Sequence, residues 1–277
     1  MNKNNRIYKS IRYGYYCIKN LPYNTKLKYD TRSIKKFKDI HKGETCFVIG
    51  NGPSMRYEDL DTIHKLNIRS FACNKIFLAF KDTVWRPDYF FASDSKILKE
   101  NKFDNIDIPK ENMFFPRQFK KEMKYGNFYE RFKHNWLECG DFSTDVHRGV
   151  YGCETIIVEA LQFAYYMGFV KVYIIGVDFS YNMKSVNKEN LTFENGEGNY
   201  FIKGYAKEGE ILNLGNQKAN ILGFQAARET FEKNEREIYN ATRGGKLEVF
   251  IRKDLDMVFK EIEETNENSC LYSNKAE

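Results

Sequence analysis

The sequence predicts an α/β fold, a mostly parallel sheet with helices on both faces. Three observations lead there. From residue 44 onward, short apolar β-like runs alternate with helix-like segments, the order that parallel strand crossovers need. A glycine turn directly follows the first such run and precedes a helix-like stretch. The length, 277 residues with 42% hydrophobic content, suffices for one sizeable core without disulfides or metal.

The elements follow in order. A strand is expected over 45–50 (TCFVIG), a helix over 54–66, a strand over 68–73 (IRSFAC) and a helix over 74–81. Next come a strand at 88–92 (DYFFA), a helix at 94–100 and a strand at 112–115 (NMFF). The helix at 151–168 is the longest apolar one, with apolar residues on more than one face. It leads into a strand at 171–176 (KVYIIG), which is followed by 178–214, rich in Asn, Gly, Glu and Lys and without a clear period. That stretch reads as a long loop or lid, more often functional than filler at this length. A helix at 215–234, a strand at 237–241 and a helix at 253–264 complete the domain, taken as 43–265, with a flexible tail at 266–277.

Charge sets the first 42 residues apart. They hold 12 Lys/Arg against two Asp/Glu, whereas the other 235 residues carry 32 against 36. Ile7, Ile11, Tyr15 and Ile18 recur there at near-helical spacing with Arg6, Lys9, Arg12 and Lys19 between them. This is either an interfacial helix for an anionic membrane or a basic helix packed on the domain. The slightly acidic body and the lack of a recognised module argue against nucleic acid as a partner. No apolar run of spanning length and no signal-type segment occurs, so a cytoplasmic protein, peripheral at the inner face of the membrane if the basic segment binds lipid, is expected. The six cysteines form no C-x-x-C pair, which gives no basis for a zinc site or a disulfide frame.

Candidate site residues gather after the strands, where open parallel sheets bind ligands. Gly50, Asn51, Gly52, Pro53 and Ser54 form a turn that could bring backbone N–H groups close to an anion, or a plain tight turn capped by Ser54. The turn is neither the dinucleotide fingerprint, since Met55 stands where the third glycine would fall, nor a P-loop, since no G-K-[ST] follows. Asn74 ends the second strand and could read a base or ribose edge, or cap a helix. Asp178, in "GVDFSY" after the 171–176 strand, could bind metal, accept a proton or hold a loop. His147 and Arg148 precede the long helix as a possible phosphate contact or an ordinary exposed pair. Asn240, Thr242, Arg243 and Lys246 surround two glycines, as a second anion site or a polar turn.

Taken together, "GNGPS", "CN", "GVYGCETIIVEALQFAYYMGFVKVYIIGVDFS" and "IYNATRGGKLEVF" resemble the 6-hydroxymethylpterin diphosphokinase-like family of bacterial polysaccharide clusters. That family is similar in turn to the family-42 bacterial sialyltransferases and to the motility-associated flagellin glycosyltransferases. The resemblance covers roughly residues 38 to 260. It implies a Rossmann-like fold of GT-A type with the nucleotide of a CMP-activated sugar over the first glycine turn. By the same resemblance, Asn51, Gly52 and Asn74 match nucleotide contacts, and Gly149 matches the turn that meets the phosphate. This chain departs from the sialyltransferases in having Arg148 before that glycine, Ser180 with Tyr181 after the Asp-Phe pair, and no histidine in 199–207.

The resemblance therefore implies a glycosyltransferase that moves a nonulosonate or related sugar from its CMP ester to a lipid-linked or cell-surface glycan, with no required cofactor or metal. The alternative is a pyrophosphokinase that uses ATP on a pterin alcohol, with Asp94 and Asp178 holding Mg²⁺; a binding protein without the chemistry is the third reading. For the transferase, Asp178 is the expected base, with Glu154 or Glu208 behind it and His147 the one histidine near the cleft by sequence. Tyr200 and Tyr205 are expected to orient the phosphate or the acceptor.

Overall fold

The computed structural model describes residues 32–100, 103–132, 141–189 and 191–273. Eleven strands are described: β1 (Thr45–Ile49), β2 (Arg69–Cys73), β3 (Tyr89–Phe91), β4 (Met113–Pro116), β5 (Asn127–Tyr129), β6 (Lys171–Ile175), β7 (Met183–Asn187), β8 (Thr192–Asn195), β9 (Ile211–Asn213), β10 (Glu237–Asn240) and β11 (Ile251–Arg252). The helices are α1 (Arg32–Lys35), α2 (Tyr57–Lys65), α3 (Ser95–Glu100), α4 (Ile156–Tyr166), α5 (Gln217–Lys233) and α6 (Leu255–Ser273). Eight strands form one sheet in the order β11-β10-β6-β1-β2-β3-β4-β5, and every pairing in it is parallel. The expected Rossmann-like α/β architecture is the one observed.

Strand alternation divides the core into two layers. Cys46, Val48, Phe71, Phe91, Phe114, Val172 and Ile174 pack with α4 and α5 residues such as Leu161, Phe163 and Phe224. Their neighbours Phe47, Ile49, Ala72, Phe90, Phe115 and Ile175 pack with Leu60 and Ile63 of α2 and Val258 of α6. Burial on both faces explains why these strands read as continuous apolar runs. The first layer is largely aromatic: Phe91 and Phe114 stack at 4.7 Å, and Phe163 meets both rings edge-on at 4.9 Å.

Capping explains where the helices start. Thr155 and Asn216 cap α4 and α5 by accepting from the Ile157 and Ala219 N–H groups. Gln162, fully buried in α4, accepts from the N–H groups of Ser143 and Tyr151 and donates to the carbonyls of Tyr151 and Val158. One side chain thereby fixes the irregular 143–151 segment to the helix.

The structure departs from the sequence reading in four places. The segment 178–214 contains a three-stranded antiparallel sheet, β7-β8-β9, tied internally by Asn199 Nδ2, which donates to Asn182 O and to Asn195 Oδ1, both at 2.8 Å. Residues 74–79 form a 3-10 helix rather than an α-helix. The short strands β5 and β11 extend the two sheet edges. The last helix continues to Ser273, through much of the stretch expected as a tail from 266. Most of the basic amphipathic segment lies outside the described residues. No described helix is long and apolar enough to cross a membrane.

Arg243 clamps the carboxyl-terminal helix to the domain. Its guanidinium meets Asp59 of α2 and Asp256 of α6, each at 2.6 Å. The Asp59 side chain is 4% exposed and that of Asp256 68% exposed, so the two contacts differ in weight. Removing the partner of a buried carboxylate leaves an uncompensated charge, whereas an exposed pair contributes about 0–1 kcal/mol. Arg243→Ala is expected to destabilise by roughly 2 kcal/mol and Asp256→Ala by less than about 1 kcal/mol, read as urea midpoints at unchanged m.

Candidate functional site

The strand order reverses at β1, which pairs with β2 on one side and β6 on the other. The chain leaves the two central strands toward opposite sides and opens a crevice at their carboxyl ends. A cleft of about 770 Å³ occupies this place. Its floor is two turns, 50–54 after β1 and 176–179 after β6.

These turns lie against each other. The Gly50 N–H donates to Ile175 O at 2.8 Å and the Gly52 N–H to Gly176 O at 2.9 Å. A Cβ on Gly50 would lie 2.2 Å from Gly176 O, and one on Gly52 would lie 1.9 Å from Asp178 Oδ2. Glycine is required at both because backbone and carboxylate occupy the space of a side chain. Asp178 is 8% exposed, and Oδ2 accepts from the Ser54 hydroxyl at 2.8 Å. Burial raises its carboxyl above the ordinary aspartate range, while hydrogen bonds from the Ser54 side chain and backbone oppose the rise.

Two amides stand above the first turn. Asn51 Nδ2 donates to Cys73 O at 3.1 Å. That contact fixes the amide orientation and leaves Oδ1 buried with no partner in the protein. Asn74 Oδ1 is likewise buried and unpartnered, and Asn74 itself has φ +56°. Both residues line the cleft. Each oxygen is an acceptor awaiting a donor.

The opposite wall is the turn into α4. Cys153 and Glu154 take positive φ in succession, +45° and +58°. Non-glycine residues there are strained unless the surroundings over-determine them. Here α5 supplies the restraint: Asn220 Nδ2 donates to Cys153 O at 2.8 Å, and a Cβ on Gly223 would lie 2.6 Å from the Cys153 Cβ. Phe179, at the floor, also has positive φ.

The 178–214 segment supplies the third side through Tyr181, Tyr200 and Tyr205. Tyr200 and Tyr205 stack at 4.0 Å, and burial pushes the Tyr200 hydroxyl well above its usual range. Lys75 Nζ donates to Tyr205 O at 3.0 Å, and Lys96 pairs with Glu210. These contacts tie the segment to the body.

Of the candidate residues, Gly50, Asn51, Gly52, Asn74, Asp94, Asp178, Tyr181 and Tyr205 line this one cleft. Ser54 joins them through Asp178. Asp94 accepts from the N–H groups of Lys96 and Ile97 at the start of α3.

His147, Arg148 and Gly149 are not brought into it. Pairing of Val150 with Glu130 and Phe132 holds this stretch beside the β5 edge, and the chain reaches the cleft only at Gly152. Burial lowers the His147 pKa, assisted by Lys35. Exposed Arg148 pairs with half-buried Asp145, and Gly149 lies where a Cβ would meet the Phe132 ring at 2.9 Å. Asn240 is used within its own turn, donating to Leu247 O and accepting from the Thr242 N–H. Arg243 is committed to its two aspartates. Glu154 lines the cleft, whereas Glu208 does not and pairs with Lys184, which lowers its pKa.

The sequence reading missed Lys75, Arg131 and Glu159, all of which line the cleft. Glu159 carried a signal, an acidic residue within the apolar run "IIVEALQFA". Arg131 carried none, because it follows a three-residue strand.

A family model described as 6-hydroxymethylpterin diphosphokinase MptE-like matches residues 16–184. Among solved structures, the MAf glycosyltransferase from Magnetospirillum magneticum AMB-1 is similar at 13% identity and a TM-score of 0.47, covering 82% of this chain and 38% of that one. The chain thus spans well under half the length of that protein. No curated protein matches the chain.

The contact between Gly52 and Asp178 predicts a coupled pair. Overpacking typically costs about 1–3 kcal/mol, so Gly52→Ala should destabilise by at least that amount. The loss should shrink by roughly 1 kcal/mol or more when Asp178→Ala is also present. A double-mutant cycle in urea measures this, and additive effects would remove the contact as the reason for the glycine.

Proposed function

The chain belongs to the 6-hydroxymethylpterin diphosphokinase MptE-like family, and from that premise we propose that it is a nucleotide-dependent transferase, specifically a glycosyltransferase using a CMP-activated sugar. The carrying observation is the pair of buried, unpartnered amide oxygens of Asn51 and Asn74 at the switch point of the sheet. A nucleoside offers matching donors, the exocyclic amine of cytosine and the ribose hydroxyls. A sugar nucleotide fits a cleft of this size, with tyrosines on one side and a helix start on the other.

Diphosphate transfer from ATP is the alternative reading of the same cleft. A magnesium site would draw on Asp94 and Asp178. Asp94 Oδ1 receives the Lys96 and Ile97 N–H groups and Asp178 Oδ2 the Ser54 hydroxyl, so each carboxylate also has a structural task in its own turn. The leaving phosphate would instead be met by protein donors at the α4 turn. The acceptor is a hydroxyl of a glycan. The charge concentrated in residues 1 to 42 supports a glycan anchored at an anionic membrane.

Asp178 is the base in this reading. A general base works best with a pKa near the operating pH, and burial moves this carboxyl in that direction. Tyr205 and Tyr181 border the same space and would orient the substrates.

Thermal-shift titration with CMP, CDP, UDP, GDP and ATP, each with and without Mg²⁺, tests the nucleotide. CMP or CDP should stabilise without metal, and Asn51→Ala should weaken that binding about tenfold, as expected for about 1.4 kcal/mol. Stabilisation by ATP with Mg²⁺ alone would support the diphosphokinase, and no response to any nucleotide would sink the proposal.

The base is tested with the donor so identified. Asp178→Asn keeps an acceptor for Ser54, so it should fold and bind CMP while losing about 10²- to 10⁴-fold in turnover. Near-normal turnover, or a loss explained by unfolding, would leave Asp178 as a brace for the turns.

A further inference from the structure

We propose that Arg131 anchors the phosphate of the bound nucleotide; this rests on the reading above and names the side chain that would recognise the anion. Arg131 follows β5 and is set by the backbone. The Val150 N–H donates to Glu130 O and the Phe132 N–H to Val150 O, both at 2.9 Å, which holds residue 131 on the cleft wall. The guanidinium is then divided. Its Nη2 donates to Glu159 Oε1 at 2.6 Å, and the Tyr129 hydroxyl donates to the other oxygen of Glu159. Glu159 is 1% exposed and holds the guanidinium plane from behind. Nε, in contrast, is buried with no partner in the protein.

A buried N–H without an acceptor is costly, and a phosphate oxygen is the strongest acceptor a nucleotide can bring to it. Other cleft cations are engaged elsewhere: Lys75 with Tyr205 O and Lys96 with Glu210. Gly152 leaves the approach open. A Cβ there would lie 3.7 Å from Arg131 Nε and 3.2 Å from Glu159 Oε1. The same turn begins α4, eleven residues long, whose positive end adds to the attraction for an anion. Arg131 therefore combines charge, a fixed plane and a buried donor, while Glu159 and Tyr129 act through it as positioning residues.

Isothermal titration of CMP and of cytidine into the full-length protein separates this role from nucleoside recognition. Arg131→Gln should weaken CMP at least tenfold and leave cytidine binding unchanged. Arg131→Lys should fall between, because it keeps the charge and loses the fork. Arg131→Gln leaves Glu159 buried without its partner, so the double variant Arg131→Gln, Glu159→Gln provides a folded form that should show the same selective loss. Glu159→Gln alone should weaken CMP less than Arg131→Gln and keep the salt dependence of binding, because the cation remains. If either Gln variant of Arg131 binds CMP as tightly as the wild type, or loses cytidine equally, the proposal is overturned. Absence of CMP binding by the wild-type protein would instead overturn the nucleotide reading and this proposal with it.

Discussion

At the carboxyl ends of β1 and β6 two backbone turns approach more closely than side chains would allow. Gly50 lies on Gly176, and Gly52 lies under the Asp178 carboxylate. The Ser54 hydroxyl closes this contact from one side. From the other, Lys246 N–H donates to Asp178 O at 2.7 Å, and a Cβ on Gly245 would lie 2.7 Å from that oxygen. The cleft exists because these turns are held together. Asn51 bonds the Cys73 carbonyl at the end of the adjacent strand, and the 178–214 segment starts from the second turn. Asp178 is consequently a structural group of the cleft, and its raised pKa and its bond to Ser54 arise at the same buried position.

Strain gathers around the same place. Asn74, Cys153, Glu154 and Phe179 all take positive φ and all line the cleft. Conformations of this kind persist where packing over-determines them. The restraint comes from layers built for other reasons: α5 presses on Cys153, and the aromatic layer of Phe91, Phe114 and Phe163 holds α4 against the sheet. A rigid apolar scaffold thus supports irregular backbone at one end of the sheet.

Buried charge is handled in two ways. Arg243 neutralises Asp59 away from the cleft and joins α2 to α6, with its donors used by carboxylates. Arg131 neutralises Glu159 at the cleft and leaves a donor over. The first arrangement is complete in itself and reads as structure. The second leaves Nε buried without a partner in the protein, the donor proposed above for a phosphate.

The layers of the fold are written in the amino-acid pattern. Six of the eight sheet strands and the helices between them were legible, because strands buried on both faces must be apolar and the connecting helices must show an apolar face. It also marked the glycine turn and Asp178, since residues following strands in a parallel sheet share one end of it. It could not reveal β5 or β11, which are too short for a periodic pattern, or the antiparallel sheet within 178–214, whose three- to five-residue strands are mostly exposed or half-buried and pair only with one another. Nor could it separate Arg131 from Arg243, or His147 from the cleft. Tertiary structure decided those points: whether a charged side chain is spent on a neighbour or left for a ligand depends on which residues the fold brings near it, and Glu159, Asp59 and Asp256 lie 28, 184 and 13 positions away from their arginines.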